Sequence, residues 1–318
     1  MIATEQVIDA VAQEMLQWPV SRRWNSKDKD SRIRSFFGAP LHLIAEIWNR
    51  IWTKLSEEEK NGLIEDNVHY RYLLYALLMM KVYAPVEVLC SMVGWPSTKT
   101  FRKWSWYFTK KIAGLKSDVI KLRNRFGGYR PGDTVRTNVF TSVDGVDCPI
   151  NEPWPFDPAW FSHKINGPAL KYEVAVCIKT GFIVWINGPF KASIGDSTIF
   201  REGLSHQLAV DEKVEADSGY NIKDECRAQR QLVMPGAGVT THDRKAKSIA
   251  RSRNERVNGR LKQFNVLASF FRHSKPRELM TEKHKFCFYS IAVITQLKME
   301  QGEAITDYQE GEYDVSYF

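Results

Sequence analysis

Three acidic residues stand in surroundings that suit chemistry on phosphate esters: Asp144 in SVDGVD, Asp217 in EADSGY and Glu255 in RSRNERVNGRLKQF. Asp144 and Asp217 each end a stretch that reads as a strand, and each is followed by small residues that leave room for a substrate. Glu255 falls in a helical pattern. At about 100° per residue, Ile249, Ala250, Val257, Leu261 and Phe264 share one face, and Arg251, Glu255, Gly259 and Lys262 the opposite one. Three hard oxygen donors from separate elements are what a pair of Mg2+ (or Mn2+) ions requires, with Asp144 bridging both and the others holding one each. Ions about 3.5 to 4 Å apart activate an attacking oxygen and stabilise a departing one. The Lys and Arg side chains nearby would hold a phosphate backbone.

Each acid also has a plainer reading. Asp-Gly and Asp-Ser-Gly are ordinary turn sequences, and Glu255 can simply offset Arg251 one turn earlier. Asp196 competes with Asp217 for the second position, although after Gly195 and before Ser197 and Thr198 it reads as a helix N-cap. Asp147 is a weaker rival to Asp144 on the far side of Gly145. His163 and His242 lie near these segments and read as surface histidines. Five scattered cysteines (Cys90, Cys148, Cys177, Cys226, Cys287), with no CxxC pair, fit neither a disulfide framework nor a zinc site.

The elements that must position these acids follow from periodicity. Residues 1–65 show apolar positions at helical spacing (Ile8, Val11, Met15; Leu41, Ile44, Trp48, Ile51). Val68 to Tyr83 reads as a strongly apolar helix stopped at Ala84-Pro85. A short helix in PVEVLCSMV, a turn at Gly94-Trp95-Pro96 and a basic helix capped by Ser97 and stopped at Gly114 then make a helix-turn-helix pattern within residues 66–130. Its second helix would bring Lys99, Arg102 and Lys103 to DNA. A plain helical subdomain with a charged outer face has the same pattern. Trp95, Trp104 and Trp106 suit aromatic packing better than base stacking.

Beyond Gly127-Gly128 and Pro131-Gly132 the character changes. Val135 to Val143 predicts a strand ending at Asp144-Gly145. Tyr172 to Ile178 and Phe182 to Ile186 predict a hairpin through Lys179-Thr180-Gly181, Asp196 to Leu208 a helix, Val214 to Asp217 a strand, and Arg244 to Phe264 a long basic helix. The fold class is therefore α/β, a mixed sheet covered by helices over residues 134–300, with an acidic tail at 301–318.

The 318 residues carry 45 Lys plus Arg against 37 Asp plus Glu, a net +8. This charge is segregated: a basic band from Arg244 to Lys285 surrounds Glu255, and the tail from Glu300 is acidic. A solvated helix face accounts for such a band as well as a polyanionic partner does. Tyr72 to Met80, the longest apolar run, is too short to span a membrane, and the charged first 30 residues do not read as a secretory signal.

SVDGVDCPI, EADSGY and NERVNGRLK resemble the three signature segments of the DDE superfamily endonuclease domain of PIF/Harbinger-type transposases. FSHKINGPALKYEVAV and INGPFKASIGDSTIFREGL are similar to that family's second and third strands and the helix after them, so the resemblance covers about residues 136–295. Residues 66–115 look, less specifically, like the helix-turn-helix that precedes such domains. The resemblance implies an RNase H-like fold and places Asp144, Asp217 and Glu255 in the acidic positions of a site using two Mg2+ or Mn2+ ions. It implies attack on DNA by water and then by the freed 3′ hydroxyl, at terminal inverted repeats and a target site. It also implies a homo-oligomer, an accessory DNA-binding protein in some cases, and a place in the nucleus after import from the cytoplasm. Val146-Asp147 and Ala216 depart from the family pattern without removing a ligand. Two alternatives stay open: a domesticated, catalytically inactive DNA-binding or scaffold protein, and an RNA-directed nuclease on the same fold.

Overall fold

The computed structural model describes residues 2–18, 25–128, 138–155, 157–234, 252–273, 277–303 and 305. Along the chain the first helices are α1 (Glu5–Met15), α2 (Ser26–Phe37), α3 (Leu41–Lys54), α4 (Glu57–Glu65), α5 (Arg71–Val82), α6 (Val86–Met92), α7 (Thr98–Ala113) and α8 (Lys116–Val119). Then come β1 (Val139–Pro149), β2 (Phe161–Ser162), β3 (Gly167–Cys177), β4 (Ile183–Lys191), α9 (Asp196–Glu202), β5 (Lys213–Glu215), α10 (Arg227–Gln231) and β6 (Leu232–Val233). A helical stretch, 252–261, is α11. It is followed by α12 (Asn265–Ala268) and α13 (Arg277–Glu300).

The chain forms two compact units. One holds Met1–Ser117, Lys262–Ala268 and Phe286–Lys298; the other holds Asp118–Leu261, Ser269–Lys285 and Met299–Phe318. The first break thus falls at Ser117, ahead of the 128–133 segment singled out by sequence, most of which lies outside the described residues. The apolar second half of α13 joins the first unit.

In the first unit, α5 is buried from Leu73 to Met80, as expected for a helix apolar on every side. Helix α7 is amphipathic. Ser97 caps it by accepting from Thr100 N (3.0 Å), and Phe101, Trp104, Phe108 and Ile112 face inward at helical spacing. Trp104 stacks on Tyr72 at 5.0 Å between centroids, the packing role expected of it, while Trp95 in the turn is 73% exposed. Lys99, Arg102 and Lys103 point outward. Arg102 pairs with Glu87 (3.7 Å) and Lys103 with Asp66 (3.1 Å), both exposed pairs of the kind worth ~0–1 kcal/mol.

The second unit is built on one mixed sheet in the order β2-β3-β1-β5-β6, with β4 also on β3. Strands β1, β3 and β4 are antiparallel in turn, whereas β5 joins β1 and β6 joins β5 in parallel. The β3–β4 hairpin closes at Lys179-Thr180-Gly181 as predicted, with both strands longer than the sequence suggests. Helix α9 is shorter than predicted: it stops at Glu202 and a 3-10 turn, Leu204–Gln207, continues after Gly203. Strand β1 does not end at Asp144-Gly145. It runs on to Pro149 because β3 supplies partners as far as Pro149↔Ala169, and only the other neighbour, β5, has stopped by then. Val143, Ala175, Val184, Phe200, Val214 and Tyr220 form the core under α9. Of the long basic helix predicted from Arg244, residues 252–261 are seen; Ile249, Ala250 and Arg251 lie outside the described residues, as do His242 and the tail beyond Ile305.

Candidate active site

Register brings two of the predicted acids together. Parallel pairing of β1 with β5 reaches Ser142↔Glu215, and Asp144 and Asp217 each stand two residues further on, level with one another where β5 has ended. Asp217 caps the 3-10 turn Ser218–Tyr220, its Oδ1 accepting from Gly219 N at 2.8 Å. The Asp144 carboxylate is held at both oxygens: Oδ1 accepts from Gly145 N (2.8 Å) and Oδ2 from Asn258 Nδ2 (2.9 Å).

Asp196, the rival of Asp217, joins them as a third carboxylate. It opens α9 and presses against the main chain of β1. A Cβ on Gly145 would stand 2.6 Å from Asp196 Oδ1, so no larger residue fits there without displacing the carboxylate. A Cβ on Gly219 would lie 3.3 Å from Asp196 Oδ2 and 3.0 Å from Asp217 Oδ1, which locates both acids around that glycine. Asp147, two residues beyond Gly145, lies near Asp196 and adds to the raising of its carboxyl, and its own Oδ2 accepts from Ser162 Oγ.

Among the described residues, Lys164 and Lys171 bring positive charge to the cluster. Burial pushes the Asp144 carboxyl up to about 6, with the charges of Asp217 and Asp196 adding to it and Lys164 and the Gly145 N–H opposing it. Burial also raises Asp196, against the pull of Lys171, whose Nζ is 3.1 Å from Oδ1. Beneath them, burial takes Glu173 up to about 8 although Trp185 Nε1 donates to its Oε2 (2.9 Å). Among the described residues, no three His, Cys, Asp or Glu side chains are grouped closely enough to hold a metal ion as they stand. The chemistry of the donors nevertheless fits one: neighbouring carboxylates, with Asp144 and Asp196 raised, gain from a hard divalent cation, and oxygen is its preferred ligand.

Helix α11 meets β1 through amides. Asn258 reaches Asp144, and one turn earlier Asn254 Nδ2 donates to Ser142 Oγ (2.6 Å), which in turn donates to Glu215 Oε2. Glu255 occupies the exposed flank of the helix, roughly 60° around from Asn258 at 3.6 residues per turn. Lys262, just after α11, is partly exposed. Sequence reasoning passed over Asn254, Asn258, Ser142, Lys164 and Glu173. The i, i+4 spacing of the two asparagines was a visible signal, since it puts both on one helix face. Lys164 had only its place in FSHKING, and its Nζ donates to Gly145 O at 3.1 Å.

All five cysteines are free thiols, and no helix among the described residues is long and apolar enough to cross a membrane. No curated protein and no solved structure matches the chain. Residues 143–295, which hold Asp144, Asp196, Asp217 and Glu255, match the family model described as DDE superfamily endonuclease, and this supports a transposase-like nuclease domain over that span.

Proposed function

We propose that this chain is a DNA transposase of the PIF/Harbinger type, or an endonuclease derived from one, that cleaves phosphodiester bonds with Asp144, Asp217 and Glu255. The observation that carries the reading is the level placement of Asp144 on β1 and Asp217 just past the end of its parallel neighbour β5, beside Gly145, with burial and the neighbouring carboxylates raising the Asp144 pKa. Strand order supports an RNase H-like fold: leaving aside the two-residue β2, one strand, β3, runs against the other four of the path β4-β3-β1-β5-β6.

In this reading Asp144, Asp217 and Glu255 hold two Mg2+ or Mn2+ ions. When bound, the ions supply Lewis-acid activation of the attacking oxygen and stabilisation of the leaving one. The side chains do the rest. Asn258 and the Gly145 N–H fix the direction of the Asp144 carboxylate. Lys164, tethered to Gly145 O, keeps a cation at the sheet edge for the phosphate. Helix α7 reads DNA with Lys99, Arg102 and Lys103 while α6 braces it, and Arg251 and Lys262 bind backbone phosphates. Strand transfer by the freed 3′ hydroxyl, a homo-oligomer pairing two DNA ends, an accessory DNA-binding protein and work in the nucleus belong to the same reading.

Recombinant protein with Mg2+ or Mn2+ should nick duplex DNA carrying the coding sequence's own flanking ends, and should leave duplex RNA intact. Glu255→Gln should abolish nicking while DNA binding, read by fluorescence anisotropy, stays within about threefold of wild type. Nicking at full rate by Glu255→Gln removes Glu255 from the site. A second reading, a DNA-binding protein without catalysis, is favoured by one observation: the α11 residue on Asp144 is the neutral Asn258. It is sustained if salt-dependent DNA binding occurs with no metal-dependent cleavage.

A further inference from the structure

Bordered by Asp196, in the same unit, lies a cavity of about 570 Å³ whose lining includes Asp147, Phe161, His163, Lys164 and Lys171. We propose that it receives the base of one unpaired nucleotide of the DNA strand being cut, an inference that rests on the nuclease reading above.

The lining brings three kinds of group together. Lys164 and Lys171 are tethered by bonds to Gly145 O (3.1 Å) and Ile194 O (2.9 Å), and Lys171 is also paired with Asp196 (3.1 Å). Lys164, exposed at its tether, is the ammonium group open to a phosphate. The half-buried Phe161 and the exposed His163 meet edge to face at 5.2 Å between centroids and offer a π surface to a base. Asp147, itself 4% exposed, accepts from Ser162 Oγ, and with Asp196 it adds carboxylates to the lining. A base can enter, and carboxylates there would accept from the exocyclic amino group of adenine, cytosine or guanine, which thymine lacks. The volume is within the ~300–1,000 Å³ usual for small-molecule pockets, enough for a single nucleotide and not for a base pair with its two backbones. Enzymes that do chemistry on a base within a duplex extrude single nucleotides into pockets of this kind.

The test uses the full chain and short DNA duplexes with 2-aminopurine, which carries an amino group, at successive positions, in Ca2+ so that binding is read without cleavage. At one position the fluorescence should rise several-fold on binding. The exposed Ser193 at the rim allows the cavity to be plugged: Ser193→Trp should abolish the rise while the melting temperature stays at the wild-type value. Binding and nicking with no brightening at any position, or equal brightening in Ser193→Trp, overturns the cavity assignment and leaves the nuclease reading standing. Absence of both DNA binding and nicking overturns the two together.

Discussion

Helix α5 and strand β1 are both deeply buried, and they bury opposite kinds of residue. From Leu73 to Met80 the helix puts eight side chains in the interior, none of them charged. Strand β1 interleaves Val139, Val143 and Val146 with Thr141, Ser142 and Asp147, and carries Asp144 partly buried among them. Side chains of the first kind stabilise their unit by leaving water. Those of the second kind cost free energy unless each finds a partner, so α11 must supply Asn254 and Asn258 around them, and β2 and the turn after it Ser162 and Lys164. Stability and chemistry are thus drawn from separate regions, and substitutions in each should fail in different ways.

The largest stability effect is expected in α5. Leu77→Ala should lower the unfolding free energy by ~2–5 kcal/mol in urea titration, through lost burial and the cavity left behind. Cleavage measured well below the melting temperature should persist in that variant.

Glu173 gives the comparison its sharpest pH signature. Its carboxyl is at about 8 in the folded chain against 4.5 in an unfolded one, so the folded state keeps a proton that the unfolded state has released. Stability from this group is therefore unaffected below about pH 4.5, falls as pH rises towards 8, and stays reduced above it. Glu173→Gln keeps an acceptor for Trp185 and loses that slope, so it should be more stable than wild type at pH 9 by on the order of a few kcal/mol and indistinguishable near pH 4. Equal pH slopes in the two proteins would show that Glu173 ionises normally.

Asn258→Ala should lower cleavage by ~10–100-fold, the usual range for a residue that orients a metal-binding carboxylate, with little loss of DNA affinity. A smaller effect belongs to the exposed ion pairs of α7. Lys103→Ala should change stability by ~0–1 kcal/mol, since Lys103 and Asp66 are both more than half exposed, yet weaken DNA binding and flatten its salt dependence.

Much of this arrangement was legible in the chain because local chemistry announced it. Ser97 after a Gly-containing turn marks the start of α7, Lys179-Thr180-Gly181 the hairpin, and small residues after Asp144 and Asp217 an accessible edge. What was not legible depends on partners distant in sequence. Strand β1 continues past Gly145 only because β3 lies alongside, and the apolar half of α13 belongs with residues some 200 positions earlier. The wheel that set Glu255 opposite Val257 and Leu261 describes α11 well, but it could not tell that Asn254 and Asn258 would be the residues turned to β1.

The most direct measurement is the single-turnover nicking rate of Asp144→Asn against wild type, in Mn2+, on DNA bearing the flanking ends. The substitution is nearly isosteric and leaves an amide where the carboxylate met Asn258. A fall of about 10³-fold or more, with anisotropy showing DNA still bound, is expected if Asp144 holds the catalytic metals. Nicking by Asp144→Asn at the wild-type rate would contradict the assignment of this sheet edge as the active site.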